Sequence, residues 1–498
     1  MGATVAENVE RRSKIPLKTK LMFSSGALEE AMVGAASAVT MVFYNQVLGV
    51  SAALCGVVFL ITSIIDAISD PLVGSWSDNF HSRWGRRHPF MLFSALPLTV
   101  AFYLMYNPPT GLSESMYFWW FLATLAMLRL GKTFYSIPHD ALGAELTDDY
   151  HERTSIFGFN MVTGLLAGTI LGWFIPFVIF PSTFGYENGF LNPDRYPILA
   201  FSGAAWVCIT VVICVFGTRD QIPKLHQVDN RQKINVKAYL GDLATLLKSR
   251  SYLSVCAGWL VIMSSGGVLA IVGTYTYIYA YELSTEIISY RGFTMVPGIL
   301  IAVPLAAWLT RKLDKKHTAI YTVIFVATII GLPHVLRMIG WFPDNDSIWL
   351  VPMLYGAIFL GYLLLPVIPI VVDSQLVDVT DEHEYHTGRR AEGVVFSIRT
   401  FGIKATSGLG GLLAGFGLEY IGFPENASVE TLTPDVLNGL LFMTGPLYWI
   451  LCFTGVIFMG LYDLNEKRHS EIMSVLEARR GQQSVRGEEA VTVGESGN

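Results

Sequence analysis

Charge is what this sequence of 498 residues lacks most. Charged residues make up 15% of the chain and hydrophobic residues 52%, whereas soluble domains carry roughly 25% charged residues. The deficit excludes a large soluble domain and predicts a lipid environment. Because a membrane span needs about 20 mostly apolar residues, the chain is long enough for a dozen spans joined by short loops.

Cysteine is scarce as well. The five cysteines lie inside apolar stretches without paired spacing in loops: Cys55, Cys208, Cys214, Cys256 and Cys452. This pattern argues against a disulfide framework and against a zinc site, so we expect buried hydrophobic side chains. The net charge of -6 and the lack of a basic stripe argue against nucleic acid as a partner.

Long apolar runs are the dominant positive feature. Read in a window of about 19 residues, they predict twelve spans. The predicted spans are 22–47, 53–76, 90–106, 116–142, 155–181, 196–217, 251–281, 286–310, 318–340, 348–373, 392–420 and 437–462. The predicted fold class is an all-α membrane protein with two six-helix bundles.

The basic residues of the loops predict the orientation of these spans. If both termini face the cytoplasm, the inner loops collect nearly all loop Lys and Arg, and the outer loops keep only Arg195. Such an asymmetry follows the positive-inside rule. The polar, basic segment 2–20 lacks a small-residue cleavage site, so we interpret it as a retained cytoplasmic tail rather than a signal peptide.

The longest inner loop divides the chain into halves. Within it, Leu240, Leu243 and Leu247 recur at helical spacing beside basic residues, which predicts a helix lying on an anionic membrane face. Two six-span halves with such a linker are typical of a rocking transporter with its substrate site at the interface. The predicted segments are an N-terminal tail 1–20, a bundle 21–217, a linker 218–250, a bundle 251–463 and a largely disordered tail 464–498.

Two acidic residues lie one helical turn apart inside the second span. Asp66 and Asp70 are four residues apart, so a helix puts both on one face. An ionised carboxylate in hydrocarbon costs at least about 2.5–3.5 kcal/mol, so such residues face a cavity and bind something positive. The pair is therefore a candidate cation site. The alternative is a pair of protonated or salt-bridged acids that only locks helices together.

Two further residues could complete this cation site. A hydroxyl from a neighbouring span would add an oxygen ligand, and Thr133 in span 4 is the candidate. Lys404 in span 11 is the natural competitor, because its ammonium would neutralise the acids until an arriving cation displaced it. The alternative for Lys404 is a static ion pair, and the sequence leaves both open.

Spans 1 and 4 supply candidate substrate contacts. Adjacent residues on a helix point about 100° apart, so only one of Glu29 and Glu30 is expected to reach the cavity, and we favour Glu30. In span 4, Arg129 and Ser136 share a helical face with Thr133, a polar stripe that indicates cavity lining. Asp140 is added as a substrate contact, although it could instead be solvated at the cytoplasmic end.

The loop after span 2 carries a recognisable motif. It runs Pro71-Leu72-Val73-Gly74-Ser75-Trp76-Ser77-Asp78 and continues Arg83-Trp84-Gly85-Arg86-Arg87-His88-Pro89. This resembles the signature loop between spans 2 and 3 of the major facilitator superfamily. Gly74 would allow close helix packing, Asp78 would cap or pair at a helix end, and the arginines would form the ion pairs of an inner gate.

A second acidic run, from Asp378 to His386, precedes span 11. Its spacing fits no zinc pattern, so we interpret it as part of the same gate, pairing with Arg153, Arg389 or Arg390. The predicted gate residues are Gly74, Asp78, Arg83, Arg86, Arg87, Arg153, Asp381 and Arg390.

The combination of Asp66, Asp70 and Pro71 ahead of that loop is similar to a narrower family, the glycoside-pentoside-hexuronide:cation symporters typified by melibiose permease. Further matches are Ser136-Ile137-Pro138, the stretch from Asp378 to Arg390, and Lys404. The resemblance covers nearly the whole chain. It implies a cation site made of Asp66, Asp70, Thr133 and Lys404.

The residues that form the family's sugar site are not kept in this chain. Where melibiose permease has aspartates in spans 1 and 4, this chain has Glu30 and Ser136; a tryptophan is replaced by Asp140 and an arginine by Met161. A galactoside is therefore not expected, whereas another glycoside or a uronide is. The fold also resembles the animal sodium-dependent lysophosphatidylcholine symporter, which keeps a lysolipid or another amphipathic solute as the alternative.

Together these patterns predict a Na⁺- or H⁺-coupled symporter that works by alternating access, in the bacterial inner membrane. No nucleophile, base or metal constellation of an enzyme is recognisable at membrane depth. No cofactor or metal is expected beyond the coupling ion. The expected partners are a small-molecule substrate and the bilayer, with the protein a monomer.

Overall fold

The computed structural model describes residues 15–80, 82–147, 149–224, 236–389 and 391–479. In these ranges the structure is helical, with one isolated β-bridge between Thr183 and Tyr186. The helices are α1 Leu17–Ser24, α2 Ala27–Val42, α3 Ala52–Asn79, α4 His88–Tyr106, α5 Glu114–Glu145, α6 Tyr150–Phe174, α7 Tyr196–Gly217, α8 Val236–Leu246, α9 Arg250–Tyr275, α10 Thr285–Ser289, α11 Val296–Met338, α12 Leu350–Leu364, α13 Val367–Thr387, α14 Glu392–Tyr420, α15 Pro434–Thr444 and α16 Pro446–Gly460, followed by α17 at 466–479.

Membrane-spanning potential is spread along the whole described chain. By length and composition, nine helices of the described residues are long and apolar enough to cross a membrane. One of them, Thr285–Met338, contains a break at Asp314, whose φ of 64° and ψ of 161° are not helical. The all-α membrane architecture is confirmed, whereas the count of twelve spans and the orientation of the termini stay predictions.

Local signals in the sequence explain where the site-bearing helix α3 begins and where it is weakened. Ser51 is its N-cap, and the Ser51 hydroxyl accepts a hydrogen bond from the Leu54 amide at 3.3 Å. Pro71 lies inside the helix. Because proline has no N–H, the carbonyl of Ala67 loses its usual helical donor next to the two acidic residues.

Glycines bring α3 and α14 into close contact. A Cβ on Gly415 would lie 2.3 Å from the Ala52 carbonyl oxygen, and one on Gly411 would lie 2.7 Å from the Phe59 Cβ. Such distances are too short for any side chain, so both positions require glycine. The close approach sets the span 2 acids against the helix that carries Lys404.

The two halves also meet at one end of the bundle. The Tyr275 hydroxyl donates to Asn45 Oδ1 at 3.0 Å, and the Tyr279 hydroxyl donates to Gln46 Oε1 at 2.8 Å. The Gln46 amide donates to the Pro424 carbonyl at 3.0 Å. These bonds close the end of the bundle that lies opposite the predicted inner loops.

Parts of the predicted linker and C-terminal tail are helical. In the linker, α8 buries Leu246, while residues 225–235 lie outside the described residues. In the tail, α17 buries Ile472 and Leu476; the sequence did not predict this helix. The rest of the tail that was predicted to be largely disordered, from residue 480 onward, lies outside the described residues, and the domain boundaries stay predictions.

Candidate functional site

Asp66 and Asp70 lie side by side on α3, beneath the hydroxyl of Thr133 on α5. Thr133 Oγ1 is 3.2 Å from Asp66 Oδ1 and 3.0 Å from Asp70 Oδ1. Thr133 is 1% exposed and Asp66 8%. A hydroxyl carries one hydrogen, so Thr133 can donate to only one of these two carboxylates at a time.

Lys404 approaches the same acids from the other half of the molecule. Its ammonium contacts Asp70 Oδ2, lies 3.4 Å from Asp66 Oδ2 and donates to the Asp66 carbonyl at 3.3 Å. The four residues predicted to form the cation site are therefore brought together. The Lys404 ammonium thus lies against both carboxylates.

Arg129 joins this cluster, which the sequence did not predict. Arg129 Nη1 lies 3.6 Å from Asp66 Oδ2, and Nη2 donates to Ser407 Oγ at 2.9 Å. Arg129 precedes Thr133 by one helical turn, so their shared face was the available signal. The structure thus sets Arg129 beside the acids, and its predicted substrate contact stays a prediction.

The arrangement offers a small cation several oxygen ligands. Both carboxylates and the Thr133 hydroxyl converge within hydrogen-bond distance, and the Ala67 carbonyl lacks its helical partner because of Pro71. Na⁺ is a hard cation that oxygen ligands suit, and a proton could instead be taken up by either carboxylate.

The other predicted substrate residues are spread along α2 and α5. Glu30 is largely exposed, with 70% of its side chain accessible, and accepts a hydrogen bond from Lys132 Nζ at 2.8 Å. Ser136 is half-buried one turn beyond Thr133. Asp140 is 68% exposed, with His139 Nδ1 3.6 Å away. The sequence did not identify Lys132 as the partner of Glu30. A charged residue inside a predicted span was the available signal.

Two of the predicted gate arginines, Arg86 and Arg87, form ion pairs within the first half of the molecule. Arg87 is buried; its Nε donates to Glu145 Oε1 at 2.9 Å, and its Nη2 lies 2.5 Å from Asp78 Oδ1. Arg86 pairs with the same glutamate at 2.9 Å. Glu145 was missed, because it ends α5 nearly sixty residues beyond the loop.

The remaining gate residues vary in their surroundings. Arg83 is exposed, and Arg153 donates to the Thr147 carbonyl at 3.2 Å. Asp381 is buried and accepts from His469 of α17 at 3.1 Å. A Cβ on Gly74 would meet Ile137 at 3.5 Å, an ordinary contact, so close packing does not require this glycine. Arg390 lies outside the described residues.

A helical bundle whose halves meet at a buried cluster of acids and bases defines a membrane transporter. The model of the MFS/sugar transport protein family matches residues 22–466. The chain belongs to that family, and its resemblance to the glycoside-pentoside-hexuronide:cation symporters is confirmed. It is a multi-pass inner-membrane protein that transports a small molecule and is not an enzyme.

Similar curated proteins cover nearly the whole chain. An uncharacterized symporter, YnaJ of Bacillus subtilis (strain 168), is 26% identical over 95% of this chain and 97% of its own length. The isoprimeverose transporter of Lactiplantibacillus pentosus is 24% identical over 88% and 87%. The putative glycoside/cation symporter YagG of Escherichia coli (strain K12) is 25% identical over 90% and 92%.

Solved structures share the fold. A bacterial homologue of the human lysosomal transporter Spinster, in an inward-facing and occupied conformation, gives a TM-score of 0.63 at 11% identity, covering 90% of this chain and 95% of that one. The nucleoside transporter NupG gives 0.58 at 12% identity, covering 90% and 99%. At these identities the likeness concerns the fold alone.

Proposed function

We propose that the chain is a symporter that couples entry of Na⁺ or H⁺ to the movement of a sugar, glycoside or uronide. The proposal rests on one observation: Lys404 from one half contacts the acid pair of the other half, where Asp66 and Asp70 lie against Thr133. A carboxylate pair at membrane depth has to bind something positive. Lys404 meets this need in the structure, and the coupling ion would displace it.

Ion exchange at this cluster explains how binding could move the halves. Lys404 lies on α14 and the acids lie on α3, so their ion pair ties the two halves together. A bound cation would release that tie. By reciprocity, substrate must then bind better in the presence of the cation, and the cation better in the presence of substrate.

The transport cycle would use twelve spans with both termini in the cytoplasm. The nine apolar spans become twelve if α5 and α14, which carry the charged site, also cross and if Thr285–Met338 crosses twice about its break at Asp314. In that topology the hydrogen bonds of Gln46 and Tyr279 close the outer side. The conformation would be inward-open, with the ion pairs of Arg86 and Arg87 contained within the first half.

The substrate would bind between the halves, in contact with Glu30, Ser136 and Asp140. Exposed charges at membrane depth face water-filled space rather than lipid, and the Glu30–Lys132 pair offers hydroxyl groups both an acceptor and a donor. Relatives named as an isoprimeverose transporter and a glycoside/cation symporter support a sugar-like solute. The protein acts as a monomer in this proposal.

Two measurements test the proposal. A thermal-shift screen of the purified protein against sugars, glycosides, uronides and lysolipids, with and without Na⁺ and at two pH values, should give a sugar-like hit that depends on the cation. Uptake of that hit into proteoliposomes should require an inward cation gradient, and Asp66→Asn and Asp70→Asn should each abolish it. Uphill uptake that persists in both variants would rule out this cation site. A lysolipid hit would make a lysolipid, rather than a sugar-like solute, the substrate.

A further inference from the structure

The cluster between the halves holds two acids and two bases, so its formal charge is already balanced. Asp66 and Asp70 face Lys404 and Arg129, and the Arg129 side chain is only 20% exposed. A coupling cation that entered without displacing either base would leave an excess positive charge. Lys404 alone would have balanced only one of the two carboxylates.

Arg129 differs chemically from Lys404 in this position. A guanidinium stays protonated at every physiological pH, whereas a buried ammonium can lose its proton. Arg129 therefore cannot make room for a cation by deprotonation and has to move or be screened. Like charges a few ångströms apart repel strongly where water is scarce.

The contacts of Arg129 indicate where it would go. Nη1 lies at the long distance of 3.6 Å from Asp66, while Nη2 makes a hydrogen bond of 2.9 Å to the Ser407 hydroxyl. The Ser407 hydroxyl in turn donates to the Lys404 carbonyl at 3.1 Å, which leaves its lone pairs free to accept from Arg129. Arg129 thus has a second partner, on α14, to hold when it leaves Asp66.

We propose that Arg129 is a built-in counter-ion that competes with the coupling cation for Asp66 and so lowers the cation affinity of the site. This inference deepens the proposed function and rests on it. Ser407 belongs to the second half, so a movement of Arg129 when the cation binds would also change a contact of α14. Arg129 acts here through Asp66, as a positioning residue.

The test is a Na⁺ titration of the full-length protein in detergent, with choline chloride holding the ionic strength. The midpoint of thermal unfolding is followed in wild type, Arg129→Gln, Arg129→Lys and Asp66→Asn, and each variant gives its own half-saturating Na⁺ concentration. Removing a fixed charge beside Asp66 should lower that concentration by about tenfold in Arg129→Gln. Arg129→Lys keeps a positive charge but one that can be lost by deprotonation, so its half-saturating Na⁺ concentration should lie between those of wild type and Arg129→Gln.

The same comparison has a proton arm, used if wild type gives no saturable Na⁺ response. Uptake in proteoliposomes is then measured against pH, and Arg129→Gln should move half-maximal uptake to a pH higher by about one unit, because a positive charge that competes with the incoming proton is gone. An unchanged or weaker cation response in Arg129→Gln overturns the role of Arg129. A cation response that survives in Asp66→Asn overturns the proposed site instead, so the two failures are distinguishable.

Discussion

The Thr133 hydroxyl lies 3.0 Å from Asp70 Oδ1 and belongs to a different helix, so it ties α5 to α3 at the acid pair. We predict that Thr133→Val, which removes this oxygen, raises the cation concentration for half-maximal uptake by roughly tenfold, since a hydrogen bond to a charged group is worth about 1.5–3 kcal/mol. Thr133→Ser keeps the hydroxyl and should stay close to wild type. The measurement is uptake into proteoliposomes at graded Na⁺ or pH.

Thr124 provides the matched control for this prediction. It is buried on the same helix, and its hydroxyl donates to the Trp120 and Phe121 carbonyls of that helix. Thr124→Val should leave the cation dependence unchanged. A similar loss in both valine variants would mean that the effect reports helix packing rather than cation binding.

The Glu30–Lys132 pair gives a prediction about substrate rather than cation. Glu30→Gln removes a charged acceptor from the cavity, so we expect the substrate concentration for half-maximal uptake to rise by about tenfold, with the cation dependence kept. Lys132→Gln should have a smaller effect, because pairs this exposed contribute only about 0–1 kcal/mol. Kinetics of uptake at saturating cation measure both.

Glu430→Gln serves as control, because Glu430 is exposed in a loop of the second half, outside the proposed substrate site. The interpretation fails if Glu30→Gln changes the cation dependence and leaves the substrate dependence unchanged. In that case Glu30 would belong to the ion site.

The close approach of α3 and α14 gives a prediction about stability. Gly415→Ala would set a Cβ 2.3 Å from the Ala52 carbonyl oxygen, and overpacking of this kind costs about 1–3 kcal/mol. The unfolding midpoint in detergent should fall by several degrees. Gly356→Ala on α12 is the control, since its Cβ would have no heavy atom within 4 Å; equal midpoints for the two variants would contradict the packing.

The acid pair illustrates what the sequence could predict. A spacing of four residues fixes a shared helical face, and both carboxylates do meet the Thr133 hydroxyl. Lys404 was named as a candidate because it is a charge within a span, and the family resemblance implied the same residue, but periodicity says nothing about which helices touch. The structure supplied that contact through Gly411 and Gly415, which allow the helices to approach.

The missed residues have a common physical cause. Glu145 and Arg129 act through partners on other helices, so their roles depend on the rotation of α5 against its neighbours. The helix α17 was missed because its composition is polar. Ile472 and Leu476, one turn apart, are buried and were the signal that a short amphipathic helix leaves in such a segment.

Gln46 carries the last prediction, because it holds the closed end of the bundle together. Its side chain donates to the Pro424 carbonyl and accepts from the Tyr279 hydroxyl and the Ala427 amide, all in the second half. Gln46→Ala should shift the population toward a state open at that end by about fivefold per lost hydrogen bond of about 1 kcal/mol. Spin labels at the exposed positions Ser115 and Asp435 would then give more long distances.

The control for this shift is Asn107→Ala. The Asn107 amide donates to the Tyr103 hydroxyl within the first half, so its loss should leave the distances between Ser115 and Asp435 unchanged. If Gln46→Ala also leaves them unchanged, the closed end does not depend on these polar contacts. Aromatic contacts that cross between the halves, Trp173 with Phe293 and Phe177 with Tyr290, would then be the feature that keeps the halves together.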